Sequence, residues 1–394
     1  MTIRGNNPFK KRTFHDGKTT RAGCSTVKPR ETSNFERRSE RGFALPFDVR
    51  CWTFDVGCSS GFMGRERGAS AMVVVSRCAP VMRKTVLSFG ETLWDLFPSG
   101  PALGGAPFNF ACRVNSLGDR GIIISRIGRD DYGRKALEQI AAFGMNVSCL
   151  QQEDRHPTGT VKVRLDDKGN PDFLIVSEVA YDFIDVTDEL LGLARAADCV
   201  CFGTLVQRAP TSRRSLHRLL EVAGKGVKFL DINLRKDCFF RETITESLKQ
   251  ANILKMNLQE AHYLAELFEI SLSSLPDFCA EMMEDWSLSC CLVTLGGHGA
   301  FAASADGKKI YVPGYEIKVV DTCGSGDAFS AGFIHEYLRG KSLADCCRLG
   351  NAFGSVVAMQ RGATTPMSFE ELRHFLKANH PRVHEPSLKA FAIS

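Results

Sequence analysis

Beyond about residue 83, short apolar runs alternate with stretches in which apolar residues recur every three or four positions. Thr85-Val-Leu-Ser-Phe-Gly90 predicts a first strand, and Leu103–Ala111 leads through paired glycines into a helix ending near Leu117-Gly118. Arg120–Ile127 reads as a strand and Arg134–Phe143 as a helix stopped by Gly144. From about Asp198 the order is strand (Cys199–Gly203), helix (Arg213–Gly224), strand (Val227–Arg235), strand (Ile253–Asn257) and a helix beginning near Glu260. Cys291–Leu295 is a buried strand that runs into a glycine turn, and Lys318-Val-Val320 reads as the end of another strand. Strands alternating with helices imply a parallel sheet with crossovers, an α/β fold. One insert breaks the pattern. Thr158–Leu165 and Pro171–Val176 alternate in β fashion around Asp166-Asp-Lys-Gly-Asn170, which predicts an antiparallel hairpin.

The chain's most informative stretch is Asp321-Thr-Cys-Gly-Ser-Gly-Asp327, followed by a helix whose Phe329, Phe333 and Tyr337 lie four apart. A glycine-rich turn that opens a helix collects unpaired N–H groups and the positive end of the helix dipole, which makes an anion site. Gly324 and Gly326 permit close backbone approach. A carboxylate at the mouth of such a site suits a base that takes a proton from an attacking hydroxyl while the amides stabilise a transferred anion. The plainer alternative for Asp327 is a helix cap.

Other polar residues fall at the carboxyl ends of predicted strands, where open α/β sheets bind ligands. Asp95 follows the first strand. Gly104 and Gly105 precede Asn109, which offers both donor and acceptor to a polyol. Asp231, Asn233 and Arg235 end a strand. Asn257 and Glu260 share one helical turn, with a capping box as the plainer alternative. Thr294, Gly296 and Gly299 form a further glycine turn, and Asn351 lies in a small-residue helix at Leu343–Gln360.

These strings together resemble the PfkB carbohydrate kinases, the ribokinase-like family. Asp-Thr-x-Gly-Ser-Gly-Asp is similar to the family's second signature, and Gly-Gly-x-x-x-Asn-x-Ala to its first. The resemblance implies a ribokinase-like three-layer sandwich, with a mostly parallel central sheet and a small β lid formed by an insert at about 158–180. It implies transfer of a phosphoryl group from ATP to a sugar hydroxyl, with Asp327 as base and Gly324, Ser325 and Gly326 as the anion hole. Asp95, Gly104, Gly105, Asn109, Arg164 and Arg235 would bind the sugar. Asn257, Thr294, Gly296, Gly299 and Asn351 would face the nucleotide. Glu260 would organise Mg2+ through water, and Asp321 and Thr322 would lie beside a monovalent cation such as K+. Pro157-Thr-Gly-Thr-Val161, Ala180-Tyr-Asp-Phe-Ile184 and Asp-x-Asn-x-Arg look most like bacterial-type fructokinases. A 2-keto-3-deoxygluconate kinase, a nucleoside kinase and a catalytically silent binding relative are the alternatives. Homodimers are common among similar enzymes.

Composition narrows the setting. The net charge of +5 is uneven: residues 1–82 hold about 15 Lys/Arg against about 7 Asp/Glu, leaving the remainder slightly acidic. No nucleic-acid partner is expected of that remainder. The 15 cysteines are irregularly spaced, without a Cys-x-x-Cys pair, as expected of reduced thiols in a cytoplasmic protein. No apolar run reaches the length of a membrane span. Residues 1–82 lack any sustained period and read as a disordered, basic extension to a kinase domain at 83–394. Gly340-Lys341-Ser342 mimics the tail of a Walker A loop, but His335 stands where its first glycine belongs.

Overall fold

Neighbouring residues of the buried strands point to opposite sides of the sheet, and this decides the layering. Val86, Cys199, Phe229, Ile253 and Cys290 join one apolar cluster; Leu87, Val200, Leu230, Leu254 and Cys291 join another. The vicinal pair Cys290-Cys291 is thus one small core residue for each layer. Both thiols are fully buried. Among the described residues every cysteine is a free thiol, and only Cys323 is exposed.

The structure, a computed structural model, describes residues 82–97, 100–165 and 171–393. In chain order the elements are β1 (Thr85–Phe89), β2 (Leu93–Phe97), β3 (Gly100–Gly104), α1 (Ala106–Ser116), β4 (Arg120–Gly128), α2 (Asp131–Ala142), β5 (Leu150–Glu153), β6 (Gly159–Leu165) and β7 (Pro171–Ile175). Next come α3 (Asp188–Ala196), β8 (Cys199–Phe202), α4 (Pro210–Val222), β9 (Val227–Asp231), α5 (Arg241–Gln250), β10 (Ile253–Asn257), α6 (Leu258–Phe268), α7 (Leu275–Trp286) and β11 (Cys290–Thr294). The last part adds β12 (Ala300–Ser304), β13 (Lys309–Val312), β14 (Gly314–Tyr315), α8 (Ser325–Tyr337), α9 (Leu343–Ala358), α10 (Phe369–Lys377) and β15 (Arg382–Val383).

The central sheet has nine strands in the order β13-β12-β11-β10-β9-β8-β1-β4-β5. Only β12 and β13 run antiparallel to their neighbours. Side chains of α3 to α7 cover one face and those of α1, α8, α9 and α10 the other. This is the three-layer, mostly parallel sandwich that the sequence implies.

The expected hairpin is there, β6 and β7 pairing antiparallel, but the lid is larger. It is a separate four-stranded sheet, β3-β2-β6-β7, in which β2 pairs parallel to β6. Asp95 therefore stands on a lid strand and not in a loop after β1. Leu93–Phe97 and Gly100–Gly104 add to the sheet because their pairing with each other and with β6 satisfies backbone groups that a loop would leave to water. The turn expected at Asp166–Asn170 lies outside the described residues, as does the extension up to residue 81.

Two further expectations are corrected. Lys318–Val320 is not a strand: Val319 and Val320 are exposed, and the N–H groups of Val320 and Asp321 both donate to the Ala358 carbonyl at 2.8 and 3.2 Å. That segment hangs from the end of α9 instead of a sheet edge. The strand expected to run to Arg235 stops at Asp231, because Asn233 adopts a left-handed φ of 42° that breaks an extended ladder.

At the end of the sheet away from the strand carboxyl termini, Asp119 is buried and joins α8 to the loop before β4. It accepts from the Lys84 N–H at 2.9 Å, from both terminal nitrogens of Arg339 at 2.9 and 2.7 Å, and is bonded to His335 Nδ1 at 2.7 Å. Burial alone would raise this carboxyl, but the bonds from His335, Arg339 and Lys84 hold it well below the usual carboxylate range. With a depressed value, the stabilisation is present above the unfolded pKa of about 3.9 and fades as pH falls below it. Asp119→Ala strands the Arg339 guanidinium and should cost about 3–5 kcal/mol in urea unfolding at pH 7, with the difference from wild type shrinking in acid.

Candidate active site

The turn before α8 is held open by geometry. Gly324 takes φ 76°, and a Cβ there would lie 2.6 Å from the Ala363 Cβ. Asp321 fastens the turn from both sides: Oδ1 accepts from the Cys323 N–H and Oδ2 from the Gly362 N–H, each at 2.9 Å. The Thr322 carbonyl accepts from the Ser325 N–H at 3.2 Å. α8 has no side-chain cap, so after Ser325 its N–H groups at Gly326 and Asp327 remain available to an anion. The small residues behind the turn serve close packing. A Cβ on Gly332 would meet α9 backbone at 3.0 Å, and one on Gly354 would meet the Ser325 carbonyl at 2.9 Å.

Asp327 sits in the first turn of α8, and its Oδ2 accepts from Asn109 Nδ2 at 2.9 Å. Asn109 is buried on α1, and its Oδ1 has no protein partner. Behind Asp327, Asp231 is gripped by Lys255 Nζ at 2.9 and 3.0 Å and by the Ser330 hydroxyl at 2.8 Å. On the lid side, a Cβ on Gly104 would stand 2.9 Å from Asp95 Oδ2, and one on Gly105, at φ 110°, would stand 2.5 Å from the Glu91 carbonyl. The paired glycines thus let the Asp95 carboxylate and the Glu91 backbone close on the chain just before α1.

These carboxyls are crowded. Burial pushes Asp327 up to about 6, with Asp231 adding repulsion, and Asn109, Lys255 and Arg235 pull the other way. Burial raises Asp95 to about 6 and Glu91 to about 7, each opposed by Arg235. Cys323, in the same turn, is open to solvent on one side, but partial burial of its thiol and the neighbouring Asp95, Asp327 and Asp321 push it up to about 12, so it offers no thiolate.

Two clefts meet at the start of α8. The narrower is lined by Glu91, Phe110, Gly203, Asp231, Asn233 and Asp327. The larger, about 410 Å³, is lined by residues including Thr294, Gly296, Gly299, Ser325, Gly326 and Asn351. Asn351 spends its amide on the Val312 and Pro313 carbonyls at 3.0 and 3.4 Å, so it braces the wall of this cleft. Gly299 is needed for contact, since a Cβ would fall 2.1 Å from the Val312 carbonyl oxygen.

Asn257 and Glu260 form the capping box that the sequence allowed. Asn257 Oδ1 accepts from the Glu260 N–H at 2.9 Å and Glu260 Oε2 from the Asn257 N–H at 2.7 Å. Glu260 also accepts from the Leu234 N–H at 2.9 Å, which pins the loop bearing Arg235. Arg235 is exposed. Arg164 pairs with Asp172 in the lid register, and its side chain lies outside the described residues. Sequence reasoning missed Glu91 and Lys255. The available signal for Lys255 was a lysine inside the apolar strand Ile253-Leu-Lys-Met256, a position that demands a buried partner.

The sequence pattern of the pfkB family carbohydrate kinases matches residues 100–370. An uncharacterized sugar kinase of Pyrococcus horikoshii is 30% identical over 315 residues, 73% of this chain and 95% of that protein. A fructokinase of Escherichia coli is 28% identical over 267 residues, covering 64% and 84% respectively. In fold, the chain resembles a fructokinase of Xylella fastidiosa solved with bound ATP, with a TM-score of 0.68 at 20% identity over 75% of this chain and 99% of that one.

The raised carboxyls tie stability to pH. Asp327, Asp95 and Glu91 keep protons in the folded chain that the unfolded chain releases near pH 4, so their contribution is greatest below that value and is lost as pH rises through about 6 to 7. Asp327→Asn removes one such charge. Its unfolding free energy relative to wild type should therefore climb as pH is raised from about 5 to about 7.5, as followed by urea titrations across that range.

Proposed function

Since the chain belongs to the pfkB family of carbohydrate kinases, we propose that Asp327 is the base of an ATP-dependent transfer to a sugar hydroxyl, and that the sugar is fructose. The observation that carries this is the junction of the two clefts, with Asp327 lining one and Ser325 and Gly326 lining the other. An acceptor in the narrow cleft and a nucleotide in the wide one would bring hydroxyl and γ-phosphate together at the α8 terminus. Asp327, oriented by Asn109, takes the hydroxyl proton, and the α8 amides stabilise charge on the transferred group. Gly104 and Gly105 let the acceptor lie close to Asp95 and Asn109. Thr294, Gly296, Gly299 and Asn351 form the nucleotide side.

Glu260 fits an outer role toward Mg2+, because both of its oxygens already accept backbone N–H groups and leave only their remaining lone pairs for ordered water. When bound with the nucleotide, Mg2+ would offset phosphate charge. K+ enters only as an accessory beside Asp321 and Thr322, since Asp321 already fastens the turn through backbone contacts.

Fructose is favoured over 2-keto-3-deoxygluconate by charge. Glu91, Asp231 and Asp327 line the narrow cleft, and of the nearby cations Lys255 is engaged with Asp231 and Arg235 faces Glu91 and Asp95, so a neutral polyol suits the cleft better than a sugar acid. The Asp-x-Asn-x-Arg string and the fructokinase relatives point the same way.

ADP release measured over a panel of fructose, other neutral sugars, 2-keto-3-deoxygluconate and nucleosides should be fastest with fructose. Equal or higher kcat/KM with the sugar acid would replace fructose, and nucleotide binding without turnover on any acceptor would favour the silent relative. Asp327→Asn should lower kcat by about 10²–10⁴-fold with acceptor affinity largely kept. In wild type, kcat/KM should rise as pH passes through about 6 and the base loses its proton.

A further inference from the structure

Lys255 is a buried ammonium on the fourth strand of the sheet, with no place in the transfer as described so far. Its Nζ donates to both oxygens of Asp231, at 2.9 and 3.0 Å, and stands 3.3 Å from where a Cβ on Gly326 would lie. It therefore sits directly behind the phosphate-side turn. Asp231 completes the arrangement by accepting from Ser330, one turn along α8 from Asp327, at 2.8 Å. Asp231 and Asp327 line the same narrow cleft. Two carboxylates facing one small space would share a single proton unless one of them is neutralised.

We propose that Lys255 is a positioning residue for phosphoryl transfer: its two-pronged grip on Asp231 keeps that second carboxylate from competing with Asp327 for the proton of the acceptor hydroxyl. This rests on the assignment of Asp327 as base. Ser330 fixes the same carboxylate to α8, so the neutralised pair and the base keep a constant separation.

Other charged groups face Asp327. Arg235 beyond β9 and Arg113 on α1 bring positive charge, while Glu91 after β1 brings negative charge. The thiols of Cys201 on β8 and Cys323 in the turn lie nearby, with Asp95 of the lid reaching Cys323. Glu260 acts on Lys255 from α6. None of these is bonded to Asp231, so Lys255 alone among them can cancel its charge at contact distance.

The full-length chain, labelled with carbon-13 at the aspartate carboxyls, allows Asp327 to be titrated by NMR, its signal identified by loss in Asp327→Asn. Lys255→Met should move the Asp327 midpoint up by about one pH unit or more. Asp231→Asn, which keeps hydrogen-bonding capacity toward Lys255, should move it down. The double variant should return it close to wild type. The acid limb of kcat/KM should follow the same three directions. A purely structural lysine would lower the unfolding midpoint yet leave the Asp327 titration unmoved, and that result overturns the proposal, as do single-variant shifts of the same sign. If Lys255→Met does not fold, the direction seen in Asp231→Asn decides alone. Titration does not need turnover, so an inactive wild type would count against the kinase assignment while the role of Lys255 is still decided.

Discussion

The hydrogen bond from Asn109 to Asp327 joins residues 218 positions apart, and most of the site depends on the packing that makes it possible. α1 and α8 lie side by side on one face of the sheet, with Phe110 and Phe333 both stacked on Phe229 of β9. Each helix begins at the edge where the parallel strands end. The N-termini therefore converge, and with them the positive ends of two helix dipoles. A buried acid is tolerable at that point because positive potential and a hydrogen bond partly offset the loss of water. α1 is further tied by Arg113, buried and donating to the Ala363 and Thr365 carbonyls, to the same loop that Gly324 must approach. Movement of either helix would disturb Asp327, the turn and the loop together.

The two ends of α8 treat charge in opposite ways. Near its C-terminus, Asp119 meets a guanidinium, an imidazole and an N–H, and its carboxyl is held low. At its N-terminus, Asp327 is held high by burial and by the neighbouring charge of Asp231. The first arrangement adds stability at neutral pH and the second subtracts from it. A base useful near neutrality needs the second, because a carboxyl left at its ordinary value would be too weak a proton acceptor. The anchored end helps hold the helix whose other end is electrostatically unfavourable, which is how function and stability are divided along a single element.

Much of this was legible in the sequence wherever a requirement is local. Gly324, Gly105 and Gly299 mark backbone conformations or close contacts that a side chain would block, and each sits in a short string that betrays it. The alternation of strand and helix gave the parallel sheet for the same reason. The four-stranded lid was not legible. Leu93–Phe97 carries Asp95 in its middle, and only its partners, Gly100–Gly104 on one side and Gly159–Lys162 on the other, make it a strand. Lys318–Val320 failed in the opposite sense: Val319 and Val320 have β propensity but form no ladder, and the N–H groups of Val320 and Asp321 donate to the Ala358 carbonyl instead. Lys255 was overlooked because its meaning lies in Asp231, which is 24 residues away and on the neighbouring strand.

The four crowded acids are divided between lid and body. Asp95 rides on the lid, whereas Glu91, Asp231 and Asp327 belong to the body. Gly104 closes on the Asp95 carboxylate within the lid pair β2–β3, and the next residue, Gly105, closes on the Glu91 backbone at the start of α1. The passage from the lid into α1 is consequently held by two adjacent close contacts, one to a side chain and one to backbone. An acceptor hydroxyl held by Asp95 and deprotonated by Asp327 would have its position fixed from lid and body at once. Positioning of this kind is where a phosphoryl-transfer enzyme obtains most of its rate, and under the proposed roles it would rest in part on two adjacent residues that lack side chains.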